Sequence, residues 1–207
     1  MLTMRLMEEA TAGLRERKRV RTRRVIADAA LELFDRQGFH ATTIPQIAAV
    51  ADVSPRTVSG YVPAKEDLAF PDADERISEL EERLRTRPPG ETTAEALRLW
   101  LPEMASGDAP HADEHRRRRA VIDADEDLCA YEHRYMARAQ AALTEAFAAD
   151  LRVEPDALEP RMAAAATVTV FELLGRDLDP DGSPREVLMA LDRALVFIGG
   201  GIGALNA

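Results

Sequence analysis

Apolar residues return at helical spacing along almost the whole chain, and no segment alternates with the two-residue period of a half-buried strand. Between residues 21 and 36, Val25, Ile26, Ala29, Ala30, Leu33 and Phe34 form one stripe, and Gly38 supplies a stop. Thr43 then opens a short helix carrying Ile44, Ile47, Ala48 and Ala51. Ser54-Pro55 reads as an N-cap followed by proline at the first helical position, and Pro63 halts the brief helix it starts. Residues 65–70 begin another, which Pro71 ends or kinks.

The helical pattern continues to the C-terminus. A charged helix is expected over about residues 74–87, closed by Pro88-Pro89-Gly90, and a second over 93–105 with Leu97, Trp100, Leu101 and Met104 at helical spacing. Helices over 112–122 and 125–151 follow, then an apolar one that Pro155 and Pro160 introduce and that reaches Arg176. Asp179-Pro180-Asp181-Gly182 predicts a turn, and Ser183-Pro184-Arg185-Glu186 a capping box. The last helix carries Val187, Leu188, Leu191, Leu195 and Ile198 and is expected to dissolve at Gly199-Gly200-Gly201. About nine helices and no strand predict an all-α protein.

Composition adds a division of charge. Hydrophobic residues make up 46% of the 207 and charged residues 31%, which suits a packed core rather than disorder. The net charge is −10, but residues 1–65 hold 11 Arg and Lys against 7 Asp and Glu, a net of +4. The remainder holds 16 against 30, a net of −14. A basic end on an acidic body fits a protein that touches a polyanion with one part only. The single cysteine, Cys129, excludes an internal disulfide and any multi-cysteine metal centre, as expected in a reducing cytoplasm. No secretory signal is visible, and the longest uncharged stretch, residues 194–207, contains four glycines and is shorter than the ~20 residues a bilayer requires. No membrane partner is expected.

The block from Thr43 to Pro63 carries the chemistry. Two short helices joined through Ala51-Asp52-Val53 have the spacing of a helix-turn-helix. The first is expected to pack on Leu33 and Phe34, with Val53 plugging the angle between the pair. Val58, Tyr61 and Val62 give the second an inward face, so its first turn, with Ser54, Pro55, Arg56 and Thr57, is left to face DNA. Arg56 can bond guanine O6 and N7 in bidentate fashion. The basic stretch from Arg15 to Arg24 reads either as a phosphate-attracting arm or as a solvated one.

The chain here resembles the tetracycline-repressor (TetR) family of one-component regulators. The resemblance rests on Arg21-Thr22-Arg23-Arg24, Ala29-Ala30-Leu31-Glu32-Leu33-Phe34, Gly38-Phe39, Ala41-Thr42-Thr43-Ile44, Ile47-Ala48, Val53-Ser54 and Lys65-Glu66-Asp67-Leu68. It implies an N-terminal three-helix helix-turn-helix DNA-binding domain, a C-terminal helical ligand-binding and dimerisation domain, and a dimer on a palindromic operator. It further implies phosphate contacts from Thr43, Tyr61 and Lys65, and base or groove contacts from Arg56 and Thr57. The chain departs from the family in having Asp52 where glycine is usual, Val58-Ser59-Gly60 where an aromatic residue and arginine are frequent, and Ala64 in place of a Ser or Asn cap. Asp52 is expected in the left-handed conformation, which Asp tolerates at some cost.

The resulting division is a flexible basic arm over 1–18, the DNA-binding domain over 19–70, and the helical domain over 71–207. The expected partners are double-stranded DNA, a small-molecule effector, and a second copy of the chain packed through the last two helices in a four-helix bundle; burial of the stripe from Ala163 to Phe171 within one monomer is the alternative. No cofactor is expected. Trp100, Met104, Tyr131, Tyr135 and Phe147 are candidates for the effector cavity, though each also suits an ordinary core. The hinge is expected at residues 65–70 with the Pro71 break. Cys129 with His133 has no further nucleophile motif around it. His111-Ala112-Asp113-Glu114-His115 spells H-x-x-E-H, so a helical metal-dependent enzyme using His111, Glu114 and His115 is the reading from another class. The following Arg116-Arg117-Arg118-Arg119 is a poor neighbourhood for a divalent cation. The expected function is a repressor released by its effector, with an activator or a ligand-independent regulator left open.

Overall fold

A computed structural model describes the backbone of residues 2–105, 112–177 and 184–205, and side chains over 18–101, 113–173 and 189–201 except Leu191. Among these residues there are nine α-helices and no strand: α1 (Leu2–Gln37), α2 (Ile44–Val50), α3 (Pro55–Tyr61), α4 (Ala73–Arg85), α5 (Thr93–Ala105), α6 (Ala112–Asp123), α7 (Glu126–Leu151), α8 (Leu158–Asp177) and α9 (Pro184–Leu205). A single 3₁₀ turn, Glu66–Ala69, stands where the sequence predicts a helix ending at Pro71. No described helix is long and apolar enough to cross a membrane.

Two differences from the sequence reading have physical causes. Residues 1–18 are set apart in the sequence as a flexible arm, whereas the backbone of α1 is helical back to Leu2; no proline interrupts residues 1–37, and Glu, Arg, Leu and Met dominate there. α9 does not dissolve at Gly199-Gly200-Gly201 but continues to Leu205. Each glycine costs about 1 kcal/mol of helix propensity, and the buried Leu195 and Ile198 just before them offset that cost through tertiary packing. The turn predicted at 179–182 and Ser183 of the predicted capping box lie outside the described residues, and the described backbone of α9 begins at the next residue, Pro184.

The chain divides into two compact units. The N-terminal unit comprises residues 1–71 together with 120–129. Its core joins Ile26, Ala30, Leu33 and Phe34 of α1 to Ile47, Val58 and Leu68, and it also takes in Val121, Ile122 and Leu128. The last turn of α6 and the first of α7 thus belong to a core that the sequence reading closes at residue 70.

The C-terminal unit comprises residues 72–119 and 130–207. Its core is built from Leu80 and Leu84 of α4, Leu97 of α5, Leu143 and Phe147 of α7, Ala164 and Val168 of α8, and Leu195 and Ile198 of α9. Arg87 ties the α4–α5 connection to α7 through Asp150 at 2.8 Å and the Ala146 carbonyl at 3.0 Å. The stripe of Ala163, Ala164 and Val168 is therefore buried within one monomer, as the alternative reading had it. The exposed large apolar residues described on α8 and α9 are different ones: Leu158, Met162, Leu173, Met189, Val196 and Phe197, the last 82% exposed.

Candidate nucleic-acid interface

The helix-turn-helix is set by local hydrogen-bond chemistry. Thr43 caps α2: the Gln46 N–H donates to Thr43 Oγ1 at 3.4 Å, and the Thr43 N–H donates to Gln46 Oε1 at 2.9 Å. This reciprocal box satisfies two of the donors that a helix N-terminus leaves without partners. Ile47 and Ala48 anchor α2 in the core. At its far end Asp52 takes φ +53, the left-handed position expected from the sequence. That turn lets the Val53 N–H donate back to the Ala48 carbonyl at 2.9 Å and the Asp52 N–H to the Ala49 carbonyl at 3.4 Å, the two bonds of a Schellman motif. The chain leaves α2 in a fixed direction and enters α3 only three residues later.

Ser54 caps α3, its Oγ accepting from the Thr57 N–H at 3.0 Å and lying 2.7 Å from Thr57 Oγ1. Pro55 fills the first helical position, where a missing N–H costs nothing. Val58 is fully buried and Val62 nearly so, which pins the inner face of this seven-residue helix. Ser54, Pro55, Arg56, Ser59 and Gly60 are exposed, while Thr57 and Tyr61 are half-buried. The structure thus brings Thr43, Ser54, Arg56, Thr57 and Tyr61 onto the two capped helices and their entry points.

Lys65 is placed differently from a free cation. Its Nζ donates to the carbonyls of Phe39 at 2.9 Å and Thr42 at 3.0 Å, and lies 4.0 Å from the centroid of the Phe39 ring. Two of its three N–H donors are therefore used to hold the connector that ends in the Thr43 cap. Buried Thr42 fastens the same connector by donating to the Gly38 carbonyl at 2.8 Å. Sequence reasoning missed the pairing of Phe39 with Lys65; the only signal was an aromatic and a lysine in adjoining motifs. Ala64 has no capping hydroxyl, yet its N–H donates to the buried Asp67 carboxylate at 2.8 Å, which replaces half of the missing box.

The C-terminal candidates separate. Trp100 packs half-buried against the core, and Tyr131 and Tyr135 meet edge to face with centroids 5.3 Å apart. Phe147 is fully buried and also lines an open cavity of about 1160 Å³, with Ser78, Leu84, Arg87, Ala142 and Gly199. Trp100, Tyr131 and Tyr135 do not line it. The side chain of Met104 and all of His111 lie outside the described residues. Of the H-x-x-E-H residues that are described, Glu114 accepts from Arg118 at 2.8 Å and His115 is exposed.

Residues 26–70 match the family described as bacterial regulatory proteins, tetR family. Over 175 residues the chain is 32% identical to the HTH-type transcriptional regulator TcmR of Streptomyces glaucescens, covering 79% of this chain and 74% of that protein. The chain belongs to the TetR family. It is accordingly a transcriptional regulator with the TetR fold, an N-terminal helix-turn-helix followed by a helical C-terminal region. Solved TetR-like structures agree in fold. NalD of Pseudomonas aeruginosa, a secondary repressor of the MexAB-OprM multidrug efflux pump, superposes with a TM-score of 0.56 at 25% identity, covering 84% of this chain and 96% of that one. FadR of Thermus thermophilus, a TetR-family repressor in complex with lauroyl-CoA, gives a TM-score of 0.50 at 22% identity, covering 86% and 94%.

Proposed function

We propose that this TetR-family regulator is a repressor that binds a palindromic operator as a homodimer and leaves it when a small-molecule effector binds. The observation that carries this reading is the outward first turn of α3, held by the Ser54 cap and the Val58 anchor with Arg56 exposed. On the operator, Arg56 reads a guanine edge, Ser54 and Thr57 lie in the groove, and Thr43, Tyr61 and the remaining N–H of Lys65 meet phosphates. The net charge of +4 on residues 1–65 favours that approach.

Dimerisation is assigned to the exposed apolar face of α8 and α9. Six large apolar side chains exposed among the described residues of these two helices, including Phe197 at 82% exposure, are costly in water and suit a second copy. The effector acts through different affinities for two dimer states, only one of which spaces the α3 pair for successive major grooves. The cavity beside Phe147 is one place for it, and the repressor FadR with its lauroyl-CoA supports the class of mechanism. The chain would act in the cytoplasm. Phe197→Glu tests the dimer: sedimentation should give a monomer, with specific DNA binding lost while helical content is kept. A variant that stays dimeric places the interface elsewhere.

A further inference from the structure

One cluster of mixed donor atoms serves neither the α3 face nor the C-terminal unit. His40, in the connector between α1 and α2, has its Nε2 3.2 Å from Oδ2 of Asp125 and 3.7 Å from Oδ2 of Asp127. The three donor atoms all lie within 4.8 Å of one another, and all three residues belong to the N-terminal unit. We propose that His40, Asp125 and Asp127 bind a first-row divalent metal ion of the zinc class, with water completing its coordination.

The donor set fits such an ion. One imidazole and two carboxylates match the borderline preference of zinc, and a neutral imidazole with two carboxylates leaves a charge of −2 for a dication to neutralise. Bonds of about 2.0–2.1 Å arranged tetrahedrally put neighbouring ligand atoms roughly 3.3–3.4 Å apart. The two distances from His40 fall on either side of that value. The Asp127 side chain is 69% exposed and can adjust to such an ion.

The surroundings orient the donors in advance. Asp125 is only 11% exposed, and its other oxygen, Oδ1, accepts from the N–H groups of Asp127 and Leu128, both at 3.1 Å. Oδ2 is thereby left turned to His40, in the manner of a metal ligand fixed by a second hydrogen bond. The His40 ring stands edge to face with Phe39, centroids 5.4 Å apart, and the Phe39 ring is itself held against Lys65. A protonated His40 would also sit near the two carboxylates. The pair with Asp127 is exposed on both sides, however, and contributes little. The described residues of the H-x-x-E-H segment offer no comparable set, and Glu114 is taken by Arg118. A bound ion would fasten the connector leading to the Thr43 cap to the residues that open α7, independently of any DNA contact.

The test uses the full chain, freed of metal with a chelator and titrated calorimetrically with zinc chloride in a non-coordinating buffer. One zinc per chain should bind with micromolar affinity and raise the melting temperature. His40→Ala and Asp127→Asn, both at exposed side chains, should each weaken binding by about tenfold or more and abolish the thermal shift. His115→Ala should change neither. Absence of saturable binding, full affinity in His40→Ala, or loss of binding in His115→Ala would overturn the site.

Discussion

Lys65→Met separates the internal role of the ammonium group from a role on DNA. Methionine keeps most of the stem's contacts but removes the donor to the Phe39 and Thr42 carbonyls and the charge over the Phe39 ring. Hydrogen bonds from charged groups contribute about 1.5–3 kcal/mol each. Lys65 is half-buried, so water can replace part of both bonds and roughly 1 kcal/mol apiece is the appropriate scale. The cation–π contact adds about 0.5–1 kcal/mol at a site of this exposure. The expected loss is therefore about 2–3 kcal/mol, which at roughly 2–4 °C per kcal/mol for a chain of this size lowers the melting temperature by about 5–10 °C. Thermal unfolding followed by circular dichroism measures it directly. Titration of a DNA site at several salt concentrations supplies the second reading, because losing one phosphate contact reduces the log–log slope by about 0.9. An unchanged melting temperature with a slope reduced by that amount would refute the internal role and leave Lys65 a phosphate contact alone.

Gly60→Ala should stabilise the protein by about 0.5–1 kcal/mol, since φ at Gly60 is not left-handed and an added Cβ meets no atom within 4 Å. DNA affinity should rise modestly because less of α3 remains to be ordered; a higher melting temperature with weaker binding would mean that the helix backbone itself approaches DNA at Gly60. In the C-terminal unit, Glu91 accepts a bidentate pair of hydrogen bonds from Arg83, which hold its carboxyl below the usual value of 4.5. A carboxyl lowered on folding contributes stability that is present above its ordinary pKa and lost as pH falls through the folded value. Glu91→Gln should therefore destabilise the protein at neutral pH and flatten its acid-side decline in urea unfolding, whereas a parallel pH profile would show that the pair contributes nothing.

What the sequence made legible was local chemistry. Ser54-Pro55, Thr43 and Gly38 act within a few residues of themselves, so their pattern specifies the α2–α3 geometry without knowledge of the rest. Asp52 was readable through the family resemblance, which puts glycine at that position, and the left-handed turn found there is again a local feature. Lys65 and Phe39 are 26 residues apart and meet only through tertiary packing, so no spacing rule announces them. The inclusion of Ala120–Cys129 in the N-terminal unit is hidden likewise, because Val121, Ile122 and Leu128 carry the same helical periodicity as residues of the other core. Periodicity shows which face of a helix is apolar; it does not show whether that face meets a core, a cavity or a second copy. For this reason Trp100, Tyr131 and Tyr135 looked equivalent to Phe147 in sequence, while the structure places only Phe147 of these four along the cavity. The Ala163 and Met162 faces of α8 divided in the same way, one buried and one exposed.

The central claim, a dimer that reads a palindrome through α3, is tested most directly by selecting binding sites from random-sequence DNA with the full chain and, in parallel, with Arg56→Ala. The full chain should enrich an inverted repeat whose half-sites lie about one helical turn, or a multiple of it, apart. Arg56→Ala should lose about 1–3 kcal/mol on the best site and relax the base choice at one position in each half. Enrichment of a lone half-site would contradict the dimer. Identical base preferences in the two selections, with affinity lowered alike for every sequence, would contradict readout by Arg56 and make that side chain a phosphate contact.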